Sequence, residues 1–168
     1  MIFENDIANA LKLKCLFLDF DGVLSNNFVY TNSKGEEFIQ SSKSDSIYVS
    51  LFFKAKIKLV VVSSEKNNSV KMRCKKMKLE SYSGIENKLF FIKDYLKKKK
   101  LHIFECGYVG NDLNDYHVME IFNYRITTSD ANPIIKKISN IKLKSKGGEF
   151  VLREIFEKYL KLNPLDYL

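Results

Sequence analysis

The chain has 168 residues, 45% of them apolar and 29% charged, which suits a single globular domain with a real core. No apolar run approaches the roughly 20 residues of a membrane-spanning helix. Met1 to Leu13 carries acids early and no long apolar block, so a secretion signal is not expected and a cytoplasmic location is the default. The formal net charge is +8, but the lysines are dispersed and no basic stretch is interleaved with aromatics, so a nucleic-acid surface is not expected.

Taken in order, the first element is the apolar run Cys15 to Leu18, which reads as a strand buried on both faces. It ends in Asp19-Phe20-Asp21-Gly22. Alternate strand residues point the same way, so the two carboxylates start on one side, and Gly22 permits a sharp turn. Acids at the carboxyl end of a central strand lie where open α/β sheets bind ligands. Such a pair can share a divalent cation and divide the work of nucleophile and proton carrier.

Phe28-Val29-Tyr30-Thr31 and Glu37-Phe38-Ile39-Gln40 flank the turn formers Asn32-Ser33-Lys34-Gly35 and read as a hairpin. Its many apolar residues imply that it packs on another surface. Ser44-Asp45-Ser46 offers capping residues for a helix over Ile47 to Phe53. Ile57 to Val62 is a second buried strand, ending at Ser63-Ser64-Glu65. Val70, Cys74 and Met77 give Lys66 to Leu79 an apolar helical face. Arg73 and Lys76 are neighbours on that helix, and on spacing alone they form a solvated face.

A short strand or turn is expected at Ser81 to Gly84, and Glu86-Asn87-Lys88 opens a helix that ends in the run Lys97 to Lys100, where cations suit the dipole. Phe104 to Val109 reads as a strand running into Gly110-Asn111-Asp112-Leu113-Asn114-Asp115, with a helix from there through Phe122. Tyr124 to Thr127 is a strand. Asn132-Pro133 starts a helix, Ile141 to Leu143 is a last strand, and Gly147-Gly148 breaks the chain before a terminal helix, Glu149 to Leu160. The spacing of Cys15, Cys74 and Cys106 suits buried free thiols rather than a metal site. His102 and His117 are assigned no chemistry.

Alternating strands and helices specify a parallel α/β sheet, and polar clusters end its first three long strands. Carboxylates, a serine and one lysine suit phosphoryl transfer: a cation removes the repulsion between an anionic nucleophile and a phosphate ester. No P-loop glycine pattern is present.

Leu18-Asp19-Phe20-Asp21-Gly22-Val23-Leu24, Ser63, Lys88 and Gly110 to Asp115 together resemble the four motifs of the haloacid dehalogenase-like phosphatases. A hairpin in place of a cap domain, and Gly147-Gly148-Glu149, are similar to a capless subgroup. That subgroup includes 3-deoxy-D-manno-octulosonate 8-phosphate phosphatases and phosphatases of nine-carbon keto-sugar acids. The C-terminal domain of some acylneuraminate cytidylyltransferases is similar as well.

The resemblance implies one three-layer, Rossmann-like domain over 1–168, with the hairpin insertion at about 26–41 and a tail at about 145–168. It implies Mg²⁺ as cofactor, Asp19 as nucleophile and metal ligand, and Asp21 as acid/base with its backbone carbonyl on the metal. Ser63 and Ser64 would bind phosphate, and Lys88 would steady both nucleophile and phosphate. The third metal ligand falls on Asn111, an oxygen donor without charge, with Asp112 able to compensate. Asp115 would support the loop.

The octulosonate enzymes usually carry Thr-Gly-Arg where this chain has Ser63-Ser64-Glu65. Glu65, Arg73 and Lys76 match the nine-carbon branch as substrate contacts, so a nine-carbon 9-phosphate is the expected substrate. The octulosonate 8-phosphate is the alternative, and a weakly active or non-catalytic assembly module a further one. The resemblance also implies a homotetramer, with Lys146 to Glu149 and Arg153 serving a neighbouring subunit's site.

Overall fold

In the computed structural model, residues 13–168 are described, so most of Met1 to Leu13 lies outside them. In chain order the strands are β1 (Cys15–Leu18), β2 (Ser25–Thr31), β3 (Glu37–Ser41), β4 (Lys58–Val62), β5 (Glu80–Tyr82), β6 (Cys106–Gly110), β7 (Tyr124–Thr127) and β8 (Ile141–Lys142). Six of them form one parallel sheet, ordered β5-β4-β1-β6-β7-β8. β1 lies inside it, hydrogen-bonded to β4 and β6, and all four of its residues are buried. The chain winds outward to β4 and β5, then crosses to β6 and winds the other way. The crevice between the carboxyl ends of β1 and β6 is therefore the switch point of the sheet.

The helices are α1 (Lys43–Lys54), α2 (Asn68–Met77), α3 (Lys88–Lys99), α4 (Tyr116–Met119), α5 (Pro133–Ile138) and α6 (Val151–Glu154), which runs on into a π-helical turn, Ile155–Tyr159. Strand periodicity sorts the core into two layers. Leu16 and Leu18 face α1, α2 and the C-terminal helix, where Phe52 and Phe156 meet edge to face at 5.1 Å. Cys15 and Phe17 face the layer of Ile92, Tyr95, Val118, Met119 and Ile135, drawn from α3, α4 and α5. Each such side chain contributes about 1.5–3 kcal/mol of burial. The expected three-layer architecture is present, and Cys15, Cys74 and Cys106 are free and buried.

β2 and β3 form the expected hairpin, antiparallel and outside the main sheet. Asn32 Oδ1 accepts from the backbone N–H groups of Lys34 and Glu36, and Gly35 takes φ +76°. Phe28, Val29, Tyr30 and Phe38 are each more than half exposed on this hairpin.

Several boundaries differ from the expectation. α1 is capped by Ser42, whose hydroxyl accepts from the amides of Ser44 and Asp45, so Ser44 to Ser46 lie inside the helix. β6 starts at Cys106, because Ile103–Glu105 is a 3₁₀ turn that leaves Phe104 exposed. A 3₁₀ turn, Leu113–Asp115, precedes α4, which ends at Met119 short of Phe122. α6 begins at Val151, after Phe150 in the left-handed region at φ +62°. Among the described residues no helix is long and apolar enough to cross a membrane.

Candidate active site

Asp19 follows β1 directly, and its amide donates to Val109 O of β6 at 2.9 Å. Its carboxylate is 3% exposed, and both of its hydrogen bonds land on Oδ1, from the Phe20 amide at 2.8 Å and Lys88 Nζ at 2.9 Å. The amides of Val23, Leu24 and Ser25 all donate back to Phe20 O, which curls the chain into a tight loop. Gly22 takes φ +76° in that loop. A Cβ there would lie 1.7 Å from Asn111 Nδ2, so only glycine lets the loops after β1 and β6 meet.

Lys88, the first residue of α3, is equally buried and lies between two carboxylates, 2.9 Å from Asp19 and 2.7 Å from Asp115. Burial works against its charge, but Asp19 and Asp115 outweigh that and raise its pKa. For Asp19 the balance is reversed. Burial and the Asp115 carboxylate push its pKa up, against the pull of Lys88 and the Phe20 amide. Asp115 is fixed further by the Tyr108 hydroxyl at 2.8 Å and the Asn111 amide at 2.9 Å.

Asp21 is half-buried and accepts from the Ser25 hydroxyl at 3.0 Å. Burial pushes its pKa upward, the Ser25 hydroxyl pulls it back, and the Glu65 carboxylate adds to the rise. A raised carboxyl suits a group that must carry a proton.

Ser63 directly follows β4 and is buried, its amide donating to Tyr82 O of β5 and its hydroxyl accepting from the Glu65 amide at 3.0 Å. Ser64 directs its hydroxyl to Ile85 O at 3.1 Å, which ties the loop to the chain leading into α3. Glu65 is exposed and accepts from the Asn67 amide at 2.8 Å.

Asn111 is 6% exposed, and its Oδ1 is buried with no hydrogen-bond partner. A bare buried carbonyl oxygen is costly, and it is the type of donor a hard divalent cation takes. Among the described residues no three His, Cys, Asp or Glu side chains form a metal cluster. With Asn111 counted, Asp19, Asp21 and the Asn111 oxygen supply an oxygen set that fits such a cation. Asp112 is exposed and occupied otherwise. Its Oδ1 accepts from the Leu113 amide at 2.8 Å and from Asn132 Nδ2 at 3.2 Å, capping the 3₁₀ turn.

Arg73 and Lys76 come together, but in a groove between the hairpin and α2 that is also lined by Tyr30, Ile39, Lys43 and Met72 and by none of the acids. The Arg73 guanidinium donates to Ser42 O at 2.8 Å and Ser46 Oγ at 3.0 Å. The segment 146–149 packs on its own chain's acid loop. Gly148 N donates to Val23 O at 2.9 Å, and a Cβ on Gly147 would lie 2.4 Å from Gly22 O. Arg153 pairs with Glu157 at 3.3 Å on the surface.

Two supporting residues escaped the sequence reading. Thr127 donates to Gly110 O at 2.7 Å and Thr128 to Gly22 O at 3.3 Å, so the end of β7 holds both loops. Their signal was available: they are hydroxyl residues at a strand end, as Ser63 is.

A buried carboxylate at the sheet's switch point, a lysine on it, a serine just after the next strand and an oxygen donor opposite make up the site of an α/β phosphatase. No family model matches the chain. The chain is 30% identical over 155 residues to the 3-deoxy-D-manno-octulosonate 8-phosphate phosphatase KdsC of Escherichia coli K12, covering 92% of this chain and 82% of that one. A Legionella pneumophila structure described as a HAD superfamily (subfamily III A) hydrolase superposes with TM-score 0.85 at 25% identity, covering 89% of this chain and 82% of that one. The 3-deoxy-D-manno-octulosonate 8-phosphate phosphatase of Moraxella catarrhalis, solved with magnesium, phosphate and KDO, has the same fold: TM-score 0.89, 23% identity, 98% and 95% coverage. The chain belongs to the haloacid dehalogenase-like (HAD) superfamily, in its capless KdsC-like branch.

Proposed function

We propose that the chain is a Mg²⁺-dependent phosphomonoesterase acting on a keto-sugar acid phosphate through a phosphoryl group carried on Asp19. The observation that carries this reading is the buried Asp19 carboxylate, gripped through one oxygen by Lys88. An Asp19 oxygen attacks phosphorus as the bond from phosphorus to the sugar oxygen breaks, and Asp21 gives its proton to that oxygen. Water then attacks the phosphorus of the acyl phosphate, Asp21 takes the proton, and inorganic phosphate leaves with Asp19 restored. Lys88 and the loop starting at Ser63 hold the phosphate oxygens. Mg²⁺, held by Asp19, the Asp21 backbone carbonyl and Asn111 Oδ1, supplies positive charge against those oxygens. Asp112 supports the loop through Oδ1 and is the proposed reserve ligand through its other oxygen.

The curated relatives are named for 3-deoxy-D-manno-octulosonate 8-phosphate, and that ester is the first substrate proposed. A nine-carbon keto-sugar acid 9-phosphate is the second reading. It is favoured by Glu65, whose carboxylate acts on Asp21 from the edge of the site, and which by resemblance replaces the arginine usual in octulosonate enzymes. Arg73 and Lys76 are the proposed cations for the sugar carboxylate. The exposed aromatic hairpin supports a homotetramer as the working assembly.

Phosphate release from eight- and nine-carbon esters, with and without Mg²⁺, tests the proposal, with native mass measured alongside. Mg²⁺-dependent turnover that is lost in Asp19→Asn is expected. No turnover on any ester, with Asp19→Asn equal to the parent, rejects it in favour of a non-catalytic assembly module.

A further inference from the structure

The C-terminal helix starts without a cap of its own. The residue at its N-cap, Phe150, has no side-chain acceptor and stands at φ +62°, a region bulky residues avoid. The acceptor comes instead from α1. Asp45, 107 residues earlier, is 1% exposed, and its Oδ1 accepts from the Leu152 amide at 3.0 Å, with the amides of Val151 and Arg153 directed at the same carboxylate. Its other oxygen has no partner, and neither has the buried Nε of the nearby Arg73. A buried carboxylate with one satisfied oxygen and no ion pair has an unfavourable place to sit. What it does there is fix where the last helix begins.

That starting point matters because the four residues before Phe150 lie across the acid loop. Gly147 N donates to Asp130 Oδ1 at 3.0 Å, and Gly148 N to Val23 O. The amides of Lys144 and Ser145 are taken by Glu154, one turn into the same helix. The strap is thus bound at its head and its tail to one helix, and that helix is set by Asp45. We infer that Asp45 is a positioning residue for the reaction. By capping the C-terminal helix it presses the Gly147-Gly148 strap onto Gly22 and Val23, and so fixes the neighbouring Asp21. The inference rests on the reading of Asp21 as proton carrier.

The test compares Asp45→Ala and Asp45→Asn in the full chain by hydrogen exchange and by kinetics. In Asp45→Ala the amides of residues 147–152 should exchange about tenfold faster or more, and kcat should fall about tenfold while KM changes little. Asp45→Asn keeps an acceptor oxygen and should restore both. The exchange measurement needs no substrate, so a failed phosphatase reading and a failed strap reading give different results. If Asp45→Ala does not fold, Gly148→Ala takes its place. A Cβ there would lie 2.8 Å from Asn26 N, with φ at +72°, so the same paired effects are expected from the strap's other side. Wild-type protection of the strap in the variant, or an unchanged kcat beside a lowered melting temperature, overturns the inference.

Discussion

Replacing Lys88 by methionine keeps the length of the side chain and removes the one cation between Asp19 and Asp115. Both carboxylates are buried, at 3% and 0% exposure, and both lie within 2.9 Å of the ammonium. Deleting one member of a buried charge cluster costs about 3–5 kcal/mol, because the remaining charges cannot leave. For a domain of this size each kcal/mol is about 2–4 °C in melting temperature, so a drop of about 6–20 °C is expected near pH 7.5. The deficit should shrink in acid. Burial and the Asp115 carboxylate already hold the Asp19 pKa above its ordinary value against the pull of Lys88, so without Lys88 it rises further. The folded variant then binds more protons than the unfolded one, and its stability grows as pH falls. Urea unfolding of wild type and Lys88→Met at pH 7.5 and 5.5 reads both effects. A loss below about 1 kcal/mol, or a loss that does not change between the two pH values, refutes the charge balance described for this site.

Asn111→Asp adds a negative charge beside the bare oxygen position and should tighten Mg²⁺ binding about tenfold, roughly 1.4 kcal/mol, by calorimetry on the protein without substrate. Gly22→Ala should abolish turnover and lower the melting temperature, since the new Cβ meets Asn111 in a backbone conformation that disfavours it. Burial pushes the Asp45 carboxyl up to about 6, above its usual 3.8. Folding therefore takes up a proton there, and wild type should gain up to about 3 kcal/mol on Asp45→Asn as pH falls through 6 towards 4, measured by parallel urea titrations.

The acid pair, Ser63, Lys88 and the Asn111 loop were legible because each follows an apolar strand or opens a helix, and a parallel sheet brings those ends together. Asp45 was misread for a physical reason. Its local context, Ser44-Asp45-Ser46 before an apolar run, is that of a cap, and it is a cap, but for a helix more than 100 residues away. Local spacing carries no information about that partner. The same holds for Arg73, a surface cation by spacing whose guanidinium is bound to Ser42 and Ser46. Glu65, Arg73 and Lys76 pointed to a nine-carbon substrate through the resemblance, whereas the relatives are named for the eight-carbon ester. The chain carries the acid at 65 and the cations at 73 and 76, but only the acid is coupled to Asp21 in the structure.

The hairpin and the tail, which look like appendages in the sequence, close a ring around the acid loop. Ser25 gives its hydroxyl to Asp21 and pairs with Ser41 at the hairpin's base. The next residue, Ser42, caps α1, and Asp45 in the first turn of α1 caps the terminal helix. The strap before that helix returns to Gly22 and Val23, where the circuit began. A capless enzyme has no second domain to order its catalytic loop from above. Here that order comes from side-chain caps linking three short elements, each too small to be stable alone.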